Sequence, residues 1–413
     1  MNSDVKIYLV GGAVRDGLLQ KEAPDRDWVV VGATPEMMVK EGYEPVGKDF
    51  PVFINKKTGE EYALARTERK TAKGYQGFAF NASQEITLEQ DLERRDLTIN
   101  AMAQDVDGGI IDLHNGQADL AEGVIRHVSD AFLEDPVRIL RAARFAARFN
   151  FSVAPETMSL MQAMVLNGEV DALVPERVWA EMHKALLTEA PQIFFQVLRD
   201  CGALARILPE IDNLFGVPQT AKYHPEIDTG IHTLMVVEQA TKLSKDPVMR
   251  FASLVHDLGK AETPADVLPS HRGHEIGGLP IIRALCDRLR VPKKFQSLAL
   301  AVAEYHLHMH KMFELKAQTV LKMLEKTRSL MDDERAVNVA NCCVADAKGR
   351  TGLENQDYPQ AALFLRFQQA AKSVNAGDIA KDYSDGERIQ KAIHDARLEK
   401  IKQVQSDLKR TSG

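Results

Sequence analysis

No stretch of this sequence stays apolar for the roughly 18 residues that a membrane-crossing helix requires, so no membrane partner is expected. The apolar run nearest the N-terminus, Ile7 to Val10, stops at Gly11 and Gly12 and is too short for the apolar core of a secretory signal. Cysteine is scarce, with Cys201, Cys286, Cys342 and Cys343 making up the whole complement. Their spacing matches no zinc pattern and the adjacent pair is a poor disulfide, which fits a reducing cytoplasm. Internal repeats and low-complexity segments are absent. Positive net charge is missing too: 52 Lys and Arg face 59 Asp and Glu, a formal net charge of −7. That disfavours a protein that coats itself with nucleic acid. Charges are screened beyond about 8 Å at physiological salt, so a local basic patch can still hold RNA phosphates, and transient, localised contact is the expectation.

What is present is ample. The 413 residues, 45% of them hydrophobic, exceed one ordinary core. Residues 1 to about 115 read as α/β, with strands at Lys6–Val10, Trp28–Gly32, Glu61–Ala65 and Gly109–Asp112 set apart by glycine-rich and Asn/Asp turns. From about residue 116 the pattern turns helical and no strand returns. A helix starts at Pro136 and runs through Arg148, and others follow over 155–166, 175–188 and 191–206. The expected domains are a head over 1–150, a helical neck and body over 151–228, a third domain over 229–330 and a helical tail over 331–413.

Four constellations in the first part carry chemistry. Gly11-Gly12-Ala13-Val14-Arg15-Asp16 follows a strand directly. That is either a plain strand–helix turn or a phosphate cradle, in which glycines admit the phosphate and Arg15 adds a charged fork. Asp25-Arg26-Asp27 opens the next strand, where residues two apart face the same way. Two adjacent carboxylates repel unless a cation lies between them, and Mg²⁺ is the oxygen-seeking candidate. A metal pair about 3.5–4 Å apart can clamp an attacking hydroxyl and a triphosphate in nucleotidyl transfer. In Arg94-Arg95-Asp96, Arg95 either starts a solvated helix or reaches triphosphate oxygens, and Asp96 either joins the acidic cluster or anchors an arginine. Last, Asp135, Arg138, Arg141 and Arg144 recur every three residues along one helical face. This stripe either pairs with acidic neighbours or faces an anionic ligand. Cytosine and adenine share an exocyclic amine beside a ring-nitrogen acceptor, while uracil and guanine show the reverse. Asp135 as acceptor beside Arg138 as donor matches C and A, leaving Arg141 and Arg144 for phosphates.

A second kind of site lies downstream. His256-Asp257-Leu258-Gly259-Lys260 follows a helical stretch, with His232 before it and His271, His274, His306 and Asp346 after it. The expected metal ligands are His232, His256, Asp257 and Asp346, a mixed imidazole and carboxylate set suited to Ni²⁺, Mn²⁺ or Co²⁺ and to phosphoester hydrolysis. His274 and His306 are assigned to an outer shell or to phosphate, and His308 and His310 to the exposed surface. The pattern resembles the HD phosphohydrolase superfamily.

Together the four head motifs resemble class II tRNA nucleotidyltransferases. Over nearly the whole chain, including Trp179 to Leu187, the likeness is to the bacterial multifunctional CCA proteins. The resemblance implies a polymerase-beta-like α/β head with a small mixed sheet, followed by an all-α neck, body, HD domain and tail. It places Mg²⁺ on Asp25 and Asp27, nucleotide on Gly12, Arg15, Arg95, Asp135, Arg138, Arg141 and Arg144, and a flexible loop at Arg66 to Lys73. Asp25, Asp27, His256 and Asp257 become the catalytic candidates. The implied partners are tRNA, CTP and ATP, the implied cofactors Mg²⁺ in the head and Ni²⁺ or another transition metal in the HD domain. The implied activities are template-free CCA addition and repair, with phosphatase, 2′-nucleotidase and 2′,3′-cyclic phosphodiesterase activities in the HD domain. A cytoplasmic monomer or weak homo-oligomer is expected. The competing readings are a poly(A) polymerase-like enzyme, an enzyme adding only C or only A, and an HD hydrolase with an RNA-binding head.

Overall fold

The computed structural model describes residues 5–22, 25–46, 52–70, 78–81 and 83–411. Backbone contacts divide it into two units: Met1–Ala185 with Ile193–Ile207, and Leu186–Gln192 with Leu208–Gly413.

The first unit is built on a mixed seven-stranded sheet. In chain order its strands are β1 (Lys6–Val10), β2 (Asp27–Val31), β3 (Tyr43–Val46), β4 (Val52–Asn55) and β5 (Glu61–Leu64). A separate hairpin pairs β6 (Thr67–Lys70) with β7 (Phe78–Asn81), and β8 (Met102–Gln104) and β9 (Ile110–Asp112) return to the sheet. The spatial order is β3-β4-β5-β2-β1-β8-β9, with only the β2–β5 pair parallel. Alternation along β2 explains its unbroken apolar run. Val29 joins one core with Val10, Leu92 and Ala103, while Val30 joins another with Met38, Phe53 and Leu64. The four expected strands are present within a residue or so. Strand β2 begins at Asp27, however, so Asp25 precedes the strand and does not open it.

Helices α1 (Gly12–Leu18), α2 (Pro35–Lys40), α3 (Leu88–Glu93) and α4 (Gly116–Glu122) complete the α/β part. Helix α5 (Val137–Phe149) is buried over most of its length, which its run of alanines permits. Asp135 stands in extended conformation just before α5, so it caps the arginine stripe from outside the helix instead of lying on it. The Val137 amide donates to its Oδ1 at 3.0 Å. One expectation fails here: after residue 116 a short parallel pair does return, β10 (Val124–Ile125) with β11 (Ser152–Val153). Two residues are too few to show a period. Helices α6 (Pro155–Leu166) and α7 (Pro175–Leu186) follow as expected. The helix expected over 191–206 is interrupted into α8 (Pro191–Asp200) and α9 (Ala203–Ile207), because Gly202 turns with φ of 79°.

The second unit is helical throughout. After the short α10 (Pro209–Asp212), its HD part comprises α11 (Thr229–Leu243), α12 (Pro247–Val255), α13 (His274–Arg288), α14 (Lys293–His310), α15 (Ala317–Lys326) and α16 (Asp333–Lys348). The chain ends in α17 (Pro359–Lys372), α18 (Ala376–Lys381) and α19 (Gly386–Thr411). Among the described residues no helix is long and apolar enough to cross a membrane.

Candidate functional sites

Every head residue assigned to metal or nucleotide from the sequence lines one cleft of about 780 Å³ in the first unit: Gly12, Arg15, Asp25, Asp27, Arg95, Asp135, Arg138, Arg141 and Arg144. Ten Arg or Lys and five Asp or Glu line it, so the cleft is basic although the chain is acidic. The strand–helix turn sets one wall. Gly11 takes a positive φ of 67°, and a side chain there would put its Cβ 3.1 Å from Nη1 of Arg95. The positive φ favours glycine at Gly11, and a Cβ there would press on the Arg95 guanidinium.

The arginines are held by a carboxylate lattice. Arg94 and Arg95 both grip the buried Asp91, at 2.6 and 3.1 Å. Burial pushes the Asp91 carboxyl up, but Arg95 and Arg94 outweigh it and hold the group below its ordinary value. Arg141 donates through Nε to Asp96 at 2.6 Å, and Arg144 pairs with Glu181 of α7. Asp96 also accepts from the Leu97 amide and from Asn100. Burial raises Asp96, and Arg141, helped by Asn100 and Arg138, brings it below its ordinary value. Arg15 pairs with Asp16 and Asn100 and lies over the rings of Phe145 and Phe149, at 5.0 and 4.9 Å. Arg138 donates to the Arg94 carbonyl at 2.7 Å. The acidic-neighbour alternative for the stripe is therefore realised at Arg141 and Arg144. Of the two options for Asp96, anchoring an arginine is the one seen.

At the acidic end, Asp25 and Asp27 are exposed to the cleft and Asp27 pairs in register with Glu61 of β5. Loss of surrounding water raises the Asp27 carboxyl, Arg95 opposes this, and Asp25 adds to it. All three side chains supply oxygen only, the donor set of a hard cation such as Mg²⁺. Glu61 escaped the sequence reading, since only strand register brings it beside Asp27. Of the basic loop, Arg66 lines the cleft and Thr67–Lys70 lies in β6, while residues 71–73 fall outside the described residues.

The HD residues assemble in the second unit as two adjoining triads, His232–His256–Asp346 and Asp257–His274–His306, each with its ligand atoms within 4.8 Å of one another. Asp257 links them. Its Oδ2 lies 3.2 Å from His256 Nε2 and 3.9 Å from His232 Nε2, and its Oδ1 lies 3.2 Å from His274 Nε2 and 3.5 Å from His306 Nε2. His274 and His306, expected in an outer shell, thus lie at 3.2 and 3.5 Å from Asp257, within the 3.2–3.9 Å span of the expected ligands His256 and His232. The Nδ1 atoms of all four histidines face backbone carbonyls, those of Gly349, Ser253, His271 and Ala303. Each Nδ1–H can donate outward, which turns each Nε2 lone pair inward. His256 Nε2 and Asp257 Oδ1 are buried without a hydrogen bond of good geometry. Inward lone pairs and orphaned buried acceptors fit a cation of mixed nitrogen and oxygen preference. Burial lowers the His306 imidazole to about 3, so it stays neutral. Asp257 and Asp346 are raised by burial but end well below the usual range, pulled down chiefly by His256 and Lys260 and by His310 and Arg350 respectively.

Several residues of this site had been given no role in it from the sequence. Glu226 Oε1 lies 3.1 Å from His232 Nδ1, and Lys260 Nζ lies 2.6 Å from Asp257 Oδ2. His310 was expected at the surface, yet it is half-buried and its Nε2 reaches Asp346 Oδ2 at 2.7 Å, with the Tyr358 hydroxyl on its Nδ1. The expectation fails because His306 and His310 are one helical turn apart on α14 and share a face. His308 is half-buried as well. Gly259 makes the packing possible: a Cβ there would lie 2.1 Å from the His274 carbonyl.

Three family profiles match: a poly A polymerase head domain over residues 7–126, a probable RNA and SrmB-binding site of polymerase A over 150–215, and an HD domain over 229–347. Among curated relatives, the multifunctional CCA protein of Teredinibacter turnerae is 55% identical over 96% of this chain and 98% of its own length. That of Vibrio campbellii is 57% identical over 96% and 99%. Solved structures share the fold at low identity. A CCA-adding enzyme complexed with ATP aligns at TM-score 0.64 and 22% identity, covering 96% of this chain and 86% of the other. A Thermotoga maritima CCA-adding enzyme complexed with tRNA_CCA aligns at 0.63 and 20%, covering 99% and 92%.

Proposed function

The chain belongs to the multifunctional CCA protein family, and from that premise we propose that it adds and repairs the 3′-terminal CCA of tRNA from CTP and ATP, with no nucleic-acid template. The observation that carries this reading is one cleft lined at once by Asp25 and Asp27, by arginines suited to a triphosphate, and by the Asp135 and Arg138 side chains. In this reading Asp25 and Asp27 hold Mg²⁺, which supplies charge neutralisation at the triphosphate and the attacking 3′-hydroxyl. Gly11 and Gly12 admit the phosphates, and Arg15 and Arg95 flank them. Arg141 and Arg144 contribute field, with their carboxylate partners fixing where the guanidiniums point. Asp135 accepts from the exocyclic amine of C or A, and Arg138 donates to the ring nitrogen. U or G would leave buried groups facing like partners, at about 1–3 kcal/mol for each unsatisfied group.

For the HD part we propose hydrolysis of phosphomonoesters, 2′-nucleotides and 2′,3′-cyclic phosphates, chemistry that suits damaged RNA ends. His232, His256, Asp257 and Asp346, with His274 and His306 beside them, would hold Ni²⁺ or another transition metal, which supplies a water activated at neutral pH. Lys260 neutralises Asp257 and would meet a phosphate oxygen.

The test of the head assignment is single-nucleotide addition to tRNA lacking its 3′ end, with each NTP offered alone. Wild type should use CTP and ATP only. Asp135→Asn, whose amide can present either a donor or an acceptor, should admit UTP or GTP while retaining turnover. Full discrimination in Asp135→Asn would mean that bases are read elsewhere in the cleft.

A further inference from the structure

Arg177, on α7, closes its fork on Asp135: Nη1 lies 3.3 Å from Oδ1 and Nη2 lies 2.8 Å from Oδ2. The Val137 amide donates to the same Oδ1 at 3.0 Å. A carboxylate oxygen carries two lone-pair positions. On Oδ1 both are taken, one by an amide and one by a guanidinium N–H. On Oδ2 one is taken and one is open. We infer that Arg177 is a specificity-determining positioning residue, which masks half of the Asp135 carboxylate so that a single acceptor position faces the incoming base.

The need for such a mask follows from base chemistry. A bare carboxylate presents two acceptor oxygens side by side. The base edge with two donors side by side is that of guanine, whose ring N–H adjoins its exocyclic amine. An unmasked aspartate would therefore favour guanine over the bases the enzyme is to add. With Oδ1 occupied and the carboxylate plane fixed by a planar fork, one acceptor remains beside the Arg138 donor, which is the pattern complementary to cytosine and adenine. Uracil, with one ring N–H between two carbonyls, gains less from unmasking. Both groups are more than two-thirds shielded from solvent, with side-chain exposures of 30% for Arg177 and 21% for Asp135, so the fork is not a fully solvated surface pair.

The inference rests on the base-reading role of Asp135 proposed above, and the experiment separates the two. Single-nucleotide addition with all four NTPs is measured for wild type, Arg177→Met, Arg177→Lys, Asp135→Asn and the double variant Asp135→Asn with Arg177→Met, together with tRNA affinity. Arg177→Met should lower kcat/KM for CTP and ATP by a similar factor, about ten- to hundredfold for a lost charged hydrogen-bonding partner. It should raise GTP use relative to CTP by about tenfold or more, and UTP use by less, with tRNA affinity nearly unchanged. Arg177→Lys keeps the charge without the fork and should fall between. In the Asp135→Asn background, Arg177→Met should not relax discrimination further. A variant that is slower on CTP and ATP yet shows no rise in GTP over CTP overturns the inference, since a purely structural role lowers rate without changing the order of bases. Should Arg177→Met not fold, the same ratio is read on Arg177→Lys, where no rise of GTP over CTP is equally fatal. If Asp135→Asn itself keeps full discrimination, the base-reading assignment falls first. If Asp135→Asn relaxes it and Arg177→Met does not, only the masking role falls.

Discussion

Asp25, Asp27 and Glu61 line the cleft with no arginine salt bridge among the described residues, while Asp96 and Asp135 in the cleft, and Asp91 behind it, are each gripped by one or two. The carboxylates without an arginine partner include the pair proposed to hold Mg²⁺, and the others position arginines. Asp25→Ala or Asp27→Ala should accordingly abolish nucleotide addition with little change in melting temperature or tRNA affinity, and near wild-type turnover in either would remove the metal assignment. Asp91→Asn should behave differently. It strips a buried carboxylate from two arginines, so it should cost about 3 kcal/mol of head stability, as breaking a buried pair does, and raise the KM for all four NTPs alike. Its pH signature follows from linkage. The Asp91 and Asp96 carboxyls titrate lower in the folded protein than in the unfolded chain. Their stabilisation is complete above the unfolded value of about 3.9 and is lost as pH falls through the lower folded values. As pH falls below about 4, melting followed by circular dichroism should decline more steeply for wild type than for Asp91→Asn. Parallel declines would show that Asp91 carries no such linkage.

Elements differ in how far the sequence betrays them, for reasons that can be named. Strand β2 is legible because Trp28 to Val31 is apolar on both faces and turns bound it. Strand β3 is not, because it is an edge strand with Pro45 within it and most of its side chains exposed, as edges tolerate. Strand β8 is three residues long, too short for a period. The same division holds for the sites. Motifs whose residues are neighbours in sequence, such as Asp25 with Asp27 and His256 with Asp257, are readable from local geometry. Glu61 beside Asp27 and Arg177 on Asp135 depend on strand register and helix packing, and no spacing rule announces them. His310 had a signal, the four-residue interval from His306 that places both on one helical face. Close packing of elements also makes a test. The Cβ clash at Gly259 is with the His274 backbone and cannot be relieved by rotating a side chain. Gly259→Ala should therefore destabilise the second unit by about 2–3 kcal/mol, as overpacking does, and weaken metal uptake because His274 and Asp257 are driven apart. Calorimetric titration with Ni²⁺ or Mn²⁺ that matches wild type would argue against that coupling.

At the scale of the whole molecule, the two proposed chemistries draw on disjoint sets of residues. The head cleft takes all its lining from residues between Val10 and Lys184, within the first unit, and the HD triads lie between His232 and Asp346, within the second. The donor sets differ as well: oxygen alone at Asp25, Asp27 and Glu61, imidazole with carboxylate at the HD triads. Hard, strongly hydrated cations favour the first and borderline transition metals the second. The activities should therefore separate by mutation and by metal. His256→Ala or Asp257→Ala should eliminate hydrolysis of 2′,3′-cyclic phosphates and leave kcat/KM for CTP addition within about twofold, on the ground that the chemical groups are not shared. Asp27→Ala should do the reverse. After exhaustive chelation, Mg²⁺ alone should restore addition, and Ni²⁺, Mn²⁺ or Co²⁺ at micromolar concentration should be needed for hydrolysis. The measurement is both assays on the same preparations, with circular dichroism to establish folding. Loss of CTP addition in a folded His256→Ala protein would show that the second unit takes part in the first unit's reaction, and restoration of hydrolysis by Mg²⁺ alone would place a hard-cation site where the imidazoles now argue for a softer one.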